Sequence, residues 1–169
     1  HADADNNGSG KLSLSSLTVD AGSTVTELVL EGADFDVSSA LVGNNADIVV
    51  QTSNTAGSSL HLGESVNGAY MSISPAELAL MTTTGTLTFG GLQTDDIVFV
   101  AATTWSVGAK LQLLATNNVL VNQDLTTSCA LLVVSADYDC DGAGIFALPA
   151  GRTLASQALI FKAADYIFS

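Results

Sequence analysis

The chain has 169 residues, 47% of them hydrophobic and only 12% charged, with 17 acidic against 4 basic side chains and a formal net charge of −13. That composition is too apolar for disorder, and no uninterrupted apolar run approaches the length of a membrane span. The scarcity of Lys and Arg makes nucleic acid and anionic membrane poor partners, because both need basic clusters.

The length suits a single domain with a real core, spanning residues 1–169. An acidic, Lys-poor surface fits a secreted or cell-surface protein living with salt or divalent cations, or serves solubility alone. The chain begins at His1 rather than Met, as expected of a chain freed from a leader or of a piece of a longer protein.

In chain order, the first feature is Ala2-Asp3-Ala4-Asp5-Asn6-Asn7-Gly8-Ser9-Gly10, followed by Leu12-x-Leu14. From there apolar-x-apolar triplets recur: Leu28/Leu30, Ile48/Val50, Leu60/Leu62, Met71/Ile73, Leu87/Phe89, Ile97/Phe99, Leu111/Leu113, Val119/Val121, Leu131/Val133 and Leu159/Phe161. Alternation at period two marks strands with one buried face. The intervening Gly, Asn, Asp, Ser and Thr are turn formers.

Every second triplet starts at Leu28, Ile48, Met71, Ile97 and Val119, advancing by 20, 23, 26 and 22 residues. Two principal strands per step of near-constant length predict an all-β, right-handed parallel β-helix. A β-sandwich is the alternative. Short strands, 6% aromatics, aliphatic inward positions and only 2 prolines favour the solenoid.

One segment departs from the strand pattern. Ser74-Pro75-Ala76-Glu77 combines an N-cap, Pro at the first helical position and Glu three residues after the cap. The β-branched run Thr82-Thr83-Thr84 and then Gly85 end it. One or two helical turns are predicted near 75–81, covering an end or a side of the stack.

Within residues 45–140, Asp47-Ile48-Val49-Val50, Leu60-His61-Leu62, Ala76-Glu77-Leu78, Gly85-Thr86-Leu87-Thr88-Phe89-Gly90 and Asp96-Ile97-Val98-Phe99-Val100 follow one another. This succession resembles the repeats of filamentous-haemagglutinin-type adhesins, long secreted proteins built from right-handed β-helix. The resemblance implies a fibre-forming or surface protein. The chain is short for such an adhesin, and its two cysteines depart from the pattern.

Towards the C-terminus, Cys129 and Cys140 are eleven apart. In an acidic, extracellular chain they are expected to form a disulfide, free buried thiols being the alternative. Then Ala136-Asp137-Tyr138-Asp139-Cys140-Asp141-Gly142-Ala143-Gly144 repeats the A-D-x-D-x-x-G-x-G of residues 2–10. Leu159-Ile160-Phe161 with Ala164-Asp165-Tyr166 likewise repeats Leu28-Val29-Leu30 with Ala33-Asp34-Phe35, so that 2–36 and 136–166 are related. A long repeat followed by the start of the next is the pattern of a repeat architecture.

Chemistry concentrates in those acidic stretches. Asp137-x-Asp139-x-Asp141-Gly142 resembles the first half of an EF-hand-type calcium loop, although Leu148 stands where the closing Glu would be. Asp3, Asp5 and Asn7 repeat it more weakly. Acidic turns between strands are the plain alternative. Asn7-Gly8-Ser9 is also a glycosylation sequon, so sugar and calcium compete for one loop.

Catalytic signals are thin. His61 reads as a stacked or buried histidine, and the adjacent Asp95 and Asp96 point to opposite faces of a strand. Nucleophile, zinc and phosphate-loop motifs are missing from the sequence. Thr82–Thr84 and Thr86/Thr88 do not recur at the coil step, which speaks against an ice-binding ladder.

The expectation is a non-catalytic extracellular structural or adhesive protein that polymerises head to tail with itself. Leu12 and Leu14 would meet Leu159, Phe161, Tyr166 and Phe168 of the next copy, with cell-surface glycans as further partners. A standalone calcium- or glycan-binding module is the rival.

Overall fold

A computed structural model describes residues 10–53, 58–64, 70–105 and 108–169. Over the described residues the chain winds as a β-solenoid of about 6 turns with one short helix. The first coil holds β1 (Lys11–Leu14), β2 (Leu17–Thr18) and β3 (Glu27–Gly32); the second holds β4 (Asp34–Val37), β5 (Leu41–Asn44) and β6 (Asp47–Thr52). The third is longer, with β7 (Leu60–Leu62), β8 (Met71–Ile73), α1 (Pro75–Leu80), β9 (Met81–Thr83) and β10 (Thr86–Gly90). Next come β11 (Ile97–Phe99), β12 (Thr103–Trp105) and β13 (Lys110–Leu114), then β14 (Val119–Val121), β15 (Leu125–Thr127) and β16 (Leu131–Ser135). The last coil is β17 (Ile145–Leu148), β18 (Leu154–Ala155) and β19 (Leu159–Lys162), after which β20 (Asp165–Phe168) opens another.

Every strand pairing among the described residues is parallel, as a solenoid requires and an antiparallel sandwich forbids. The third face is continuous, in the order β19-β16-β13-β10-β6-β3. The first face runs β20-β17-β14-β11-β7-β8, and β4, paired with β1, packs against β8. The second face consists of β2-β5-β9 and β12-β15-β18.

Each regular coil thus has three strands, where the spacing of apolar triplets suggests two. The second-face strands are short and put threonine where an aliphatic residue would show in the sequence. Thr103 in β12 and Thr127 in β15 are both buried. The evenly stepped triplets also change face: Leu28 and Ile48 are partners on the third face, while Ile97 and Val119 are partners on the first.

The core is a set of stacked ladders. On the third face Leu28, Ile48, Leu87, Leu111, Leu132 and Leu159 succeed one another in register, as do Leu30, Val50, Phe89, Leu113, Val134 and Phe161. Like side chains at the strand spacing of about 4.8 Å interdigitate, and the apolar area they remove from water drives folding. In β16 the inward residues are Leu132 and Val134, one step out of phase with Leu131/Val133. A run of four consecutive apolar residues contains no polar one to set its phase.

The third coil is irregular because the chain visits the first face twice. β7 pairs with β11, and β8 returns to lie between β7 and β4. Ser74 then starts α1 with a capping box: its Oγ accepts from Glu77 N at 3.3 Å and its own N donates to Glu77 Oε2 at 2.8 Å. Glu77 Oε1 also accepts from Val37 N, tying the helix to the second coil. The predicted helix is therefore present, ending at Leu80 as Met81 enters β9, and it covers a side of the stack with Leu78 buried.

From Gly10 and from Gly144 onward, the described parts of the two related stretches share a bonding pattern. Gly10 O accepts from Ala33 N and Asp34 N, and Gly144 O accepts from Ala164 N and Asp165 N. Lys11 pairs with Asp34 in β1–β4 as Ile145 pairs with Asp165 in β17–β20.

Candidate functional site

The acidic loop after β16 is the densest chemical feature among the described residues. Asp137, Asp139 and Asp141 each present a carboxylate oxygen, and these oxygens lie within 4.8 Å of one another. Left-handed backbone at Asp137 (φ 67), Cys140 (φ 62) and Gly142 (φ 88) curls the loop tightly. Asp137 Oδ1 accepts from Gly142 N at 3.0 Å and Asp141 Oδ1 from Ala143 N at 2.9 Å. Gly144 closes the loop where nothing larger fits, since a Cβ would come within 2.1 Å of Asp137 N.

These carboxylates are hard oxygen donors of the kind calcium takes. One oxygen from each supplies three of the six to eight ligands that calcium takes, and second carboxylate oxygens, waters or backbone oxygens would supply the rest. Asp3, Asp5 and Asn7, the weaker calcium set and glycosylation position, lie outside the described residues.

The expected disulfide is corrected. Cys129 and Cys140 are both free thiols, Cys129 buried and Cys140 exposed. They stand before and after β16, whose ends Leu131 and Ser135, four steps of about 3.3 Å, lie roughly 13 Å apart. A bridge needs Cα atoms within about 7 Å. Cys129 instead packs into the core with Sγ 3.4 Å from Ser156 Oγ. Mass spectrometry after alkylation is expected to find rapid labelling of Cys140 in the native protein and labelling of Cys129 only after denaturation. Recovery of a linked Cys129–Cys140 peptide contradicts this.

The residues assigned to assembly fall at the two ends of the stack. Leu12 and Leu14 in β1 are partly buried. At the other end Leu159, Tyr166 and Phe168 are exposed and Phe161 is partly covered. Phe146 lies beneath them, its ring centroid 4.7 Å from Phe161 and 5.7 Å from Phe168. The outward Ile160 and Ile167 add to this apolar end.

Sequence reasoning missed the surroundings of His61. Its Nδ1 lies 2.5 Å from Glu64 Oε1, and its ring stacks on Tyr70 with centroids 3.6 Å apart. Desolvation, then the Glu64 charge and hydrogen bond, raise the Tyr70 phenol above its ordinary range. Only the return of β8 alongside β7 brings Tyr70 there, and nothing local in the sequence announces that return. Burial, then the charge of Asp96, raise the Asp95 carboxyl, while Asp96 Oδ1 accepts from Asn118 N and Nδ2. Asp96 thereby pins the turn before β14.

No known protein family, curated protein or solved structure matches this chain.

No helix among the described residues is long and apolar enough to cross a membrane.

Proposed function

We propose that this chain is a non-catalytic, extracellular structural and adhesive protein that assembles end to end into a fibre or surface layer. The observation that carries the reading is the apolar C-terminal end, where Leu159, Ile160, Tyr166, Ile167 and Phe168 are all at least 40% exposed on the last strands of two parallel sheets. An open solenoid end offers unpaired strand backbone together with the core's own side chains, and monomeric solenoids cap such ends.

The like hydrogen bonding of the first and last coils supports a partner surface of the same kind on the next copy. Such a contact is heterologous and propagates rather than closing. The likeness of residues 45–140 to filamentous-haemagglutinin-type repeats agrees with a secreted, adhesive setting, with cell-surface glycans as partners. Negative-stain microscopy and sedimentation of the concentrated protein test it: filaments are expected, and a monomer at all concentrations refutes it.

The clustered carboxylates favour a second reading, a calcium-binding module, alone or within the fibre. At a hundredfold excess over Kd, a bound ion adds about 2.7 kcal/mol. For a domain of this size that is roughly 5–10 °C in Tm. Calcium is expected to raise Tm by that amount in the wild type and by much less in Asp139→Asn/Asp141→Asn. No calorimetric heat and an unchanged melt in chelator dismiss the ion.

A further inference from the structure

The outer surface of the third face carries two adjoining depressions of about 460 and about 500 Å³, which share Gln112, Leu114 and Tyr138. Together they cross the strands from β6 to β19. Five strands at about 4.8 Å spacing make a trough roughly 19 Å long. One rim is formed by the loops after β10 and β16, which raise Leu92 and Tyr138 to 65% and 41% exposure.

The chemistry of the trough narrows what fits it. Its central strands β10, β13 and β16 are paired on both sides, so their backbone is consumed within the sheet. An extended peptide joins a free edge through main-chain bonds, and none is offered here. The charged groups that line it stand on its borders, Glu27 at one end, Lys162 at the other and Asp137 on the rim beside Tyr138. On a chain of net charge −13, with the carboxylates of Asp137, Asp139 and Asp141 in the loop on the rim, a polyanion is repelled and an uncharged ligand is not.

What the floor does present is carboxamides. The Thr88 hydroxyl donates to Gln112 Oε1 at 3.4 Å, and Gln112 Nε2 meets no acceptor among the described residues. Gln93 Oε1 is buried without a hydrogen-bond partner. Gln51 Oε1 lies across Gly91, where a Cβ would stand 2.8 Å from it. Carboxamides both donate and accept, which matches hydroxyl groups that do the same. An exposed tyrosine ring adds an apolar face with a polar tip.

We propose that this trough binds an uncharged polysaccharide laid across the strands, with Tyr138 against the face of one sugar ring and Gln51, Gln93 and Gln112 bonding its hydroxyls. The proposal deepens the adhesive part of the reading above and names the site and class of its glycan.

The test is binding of the full-length chain to an array of uncharged gluco-, manno- and galacto-hexasaccharides printed beside uronate and sulfated ones, followed by calorimetry on the strongest. Binding to at least one uncharged chain is expected. Tyr138→Ala and Gln112→Ala should each weaken it about tenfold or more, while Tyr138→Phe retains most of it and melting temperatures stay unchanged. A blank array, preference for the charged sugars, or binding indifferent to both alanine variants overturns the site. So does a blank array with filament packing altered by Tyr138→Ala, which would make the trough a lateral contact between copies. Filaments that persist beside a blank array remove the glycan site and leave end-to-end assembly standing; glycan binding by a strict monomer does the reverse.

Discussion

Replacing Leu159 and Phe168 together by Lys is expected to convert filaments into monomers without unfolding the chain. Both side chains are already 40% or more exposed, so the isolated subunit loses little packing. In the end-to-end contact, however, each would lie between two coils, and an unpaired buried charge costs about 3–5 kcal/mol. At 1.4 kcal/mol per decade, even one such charge raises the concentration needed for polymerisation by roughly 10²–10⁴. The end is also stepped: β20 extends the first face by one strand, whereas the second and third faces stop at β18 and β19. Polymerisation of the double variant at the wild-type concentration contradicts the end-to-end model.

Much of this architecture was legible because inward aliphatics alternate with polar residues at period two, and because the Ser74–Glu77 box marks a helix start without tertiary help. The third strand of each coil was not. Thr103 and Thr127 occupy inward positions with their hydroxyls satisfied locally, Thr103 Oγ1 donating to Ala101 O and Thr127 Oγ1 accepting from Cys129 N. A polar letter in the sequence therefore hides a core position. The order β4-β8-β7-β11 was equally hidden, since a strand can return beside an earlier one without leaving any local periodicity. That return builds the His61–Glu64–Tyr70 cluster. At the acidic loop the residue spacing alone suggested clustered carboxylates, and the three do meet. The cysteine spacing misled because Cys129 takes an inward core position while Cys140 lies on an exposed loop, and a count of residues does not show which side of the wall a thiol takes.

Phe89→Ala carries the largest effect expected inside a subunit. The ring is fully buried, stands in register with Val50 below and Leu113 above, and has its centroid 5.0 Å from that of Trp105. Truncating a buried Phe costs about 3–5 kcal/mol through lost transfer energy and the cavity left behind. At about 2–4 °C per kcal/mol, Tm should fall by roughly 6–20 °C. Location amplifies the loss. Solenoid stability is a sum of coil energies and nearest-neighbour interfaces, and the junction between the third and fourth coils is already interrupted, because β9 and β12 belong to separate sheets on the second face. Weakening the ladder there should uncouple the two halves, so that thermal unfolding splits and amide protection is lost first beside β10. Leu92→Ala, which removes a 65% exposed side chain nearby, is the control, with a change within about 0.5 kcal/mol. A Phe89→Ala melt that remains a single transition within about 2 °C of wild type would mean that stacked ladders are not what holds the coils together.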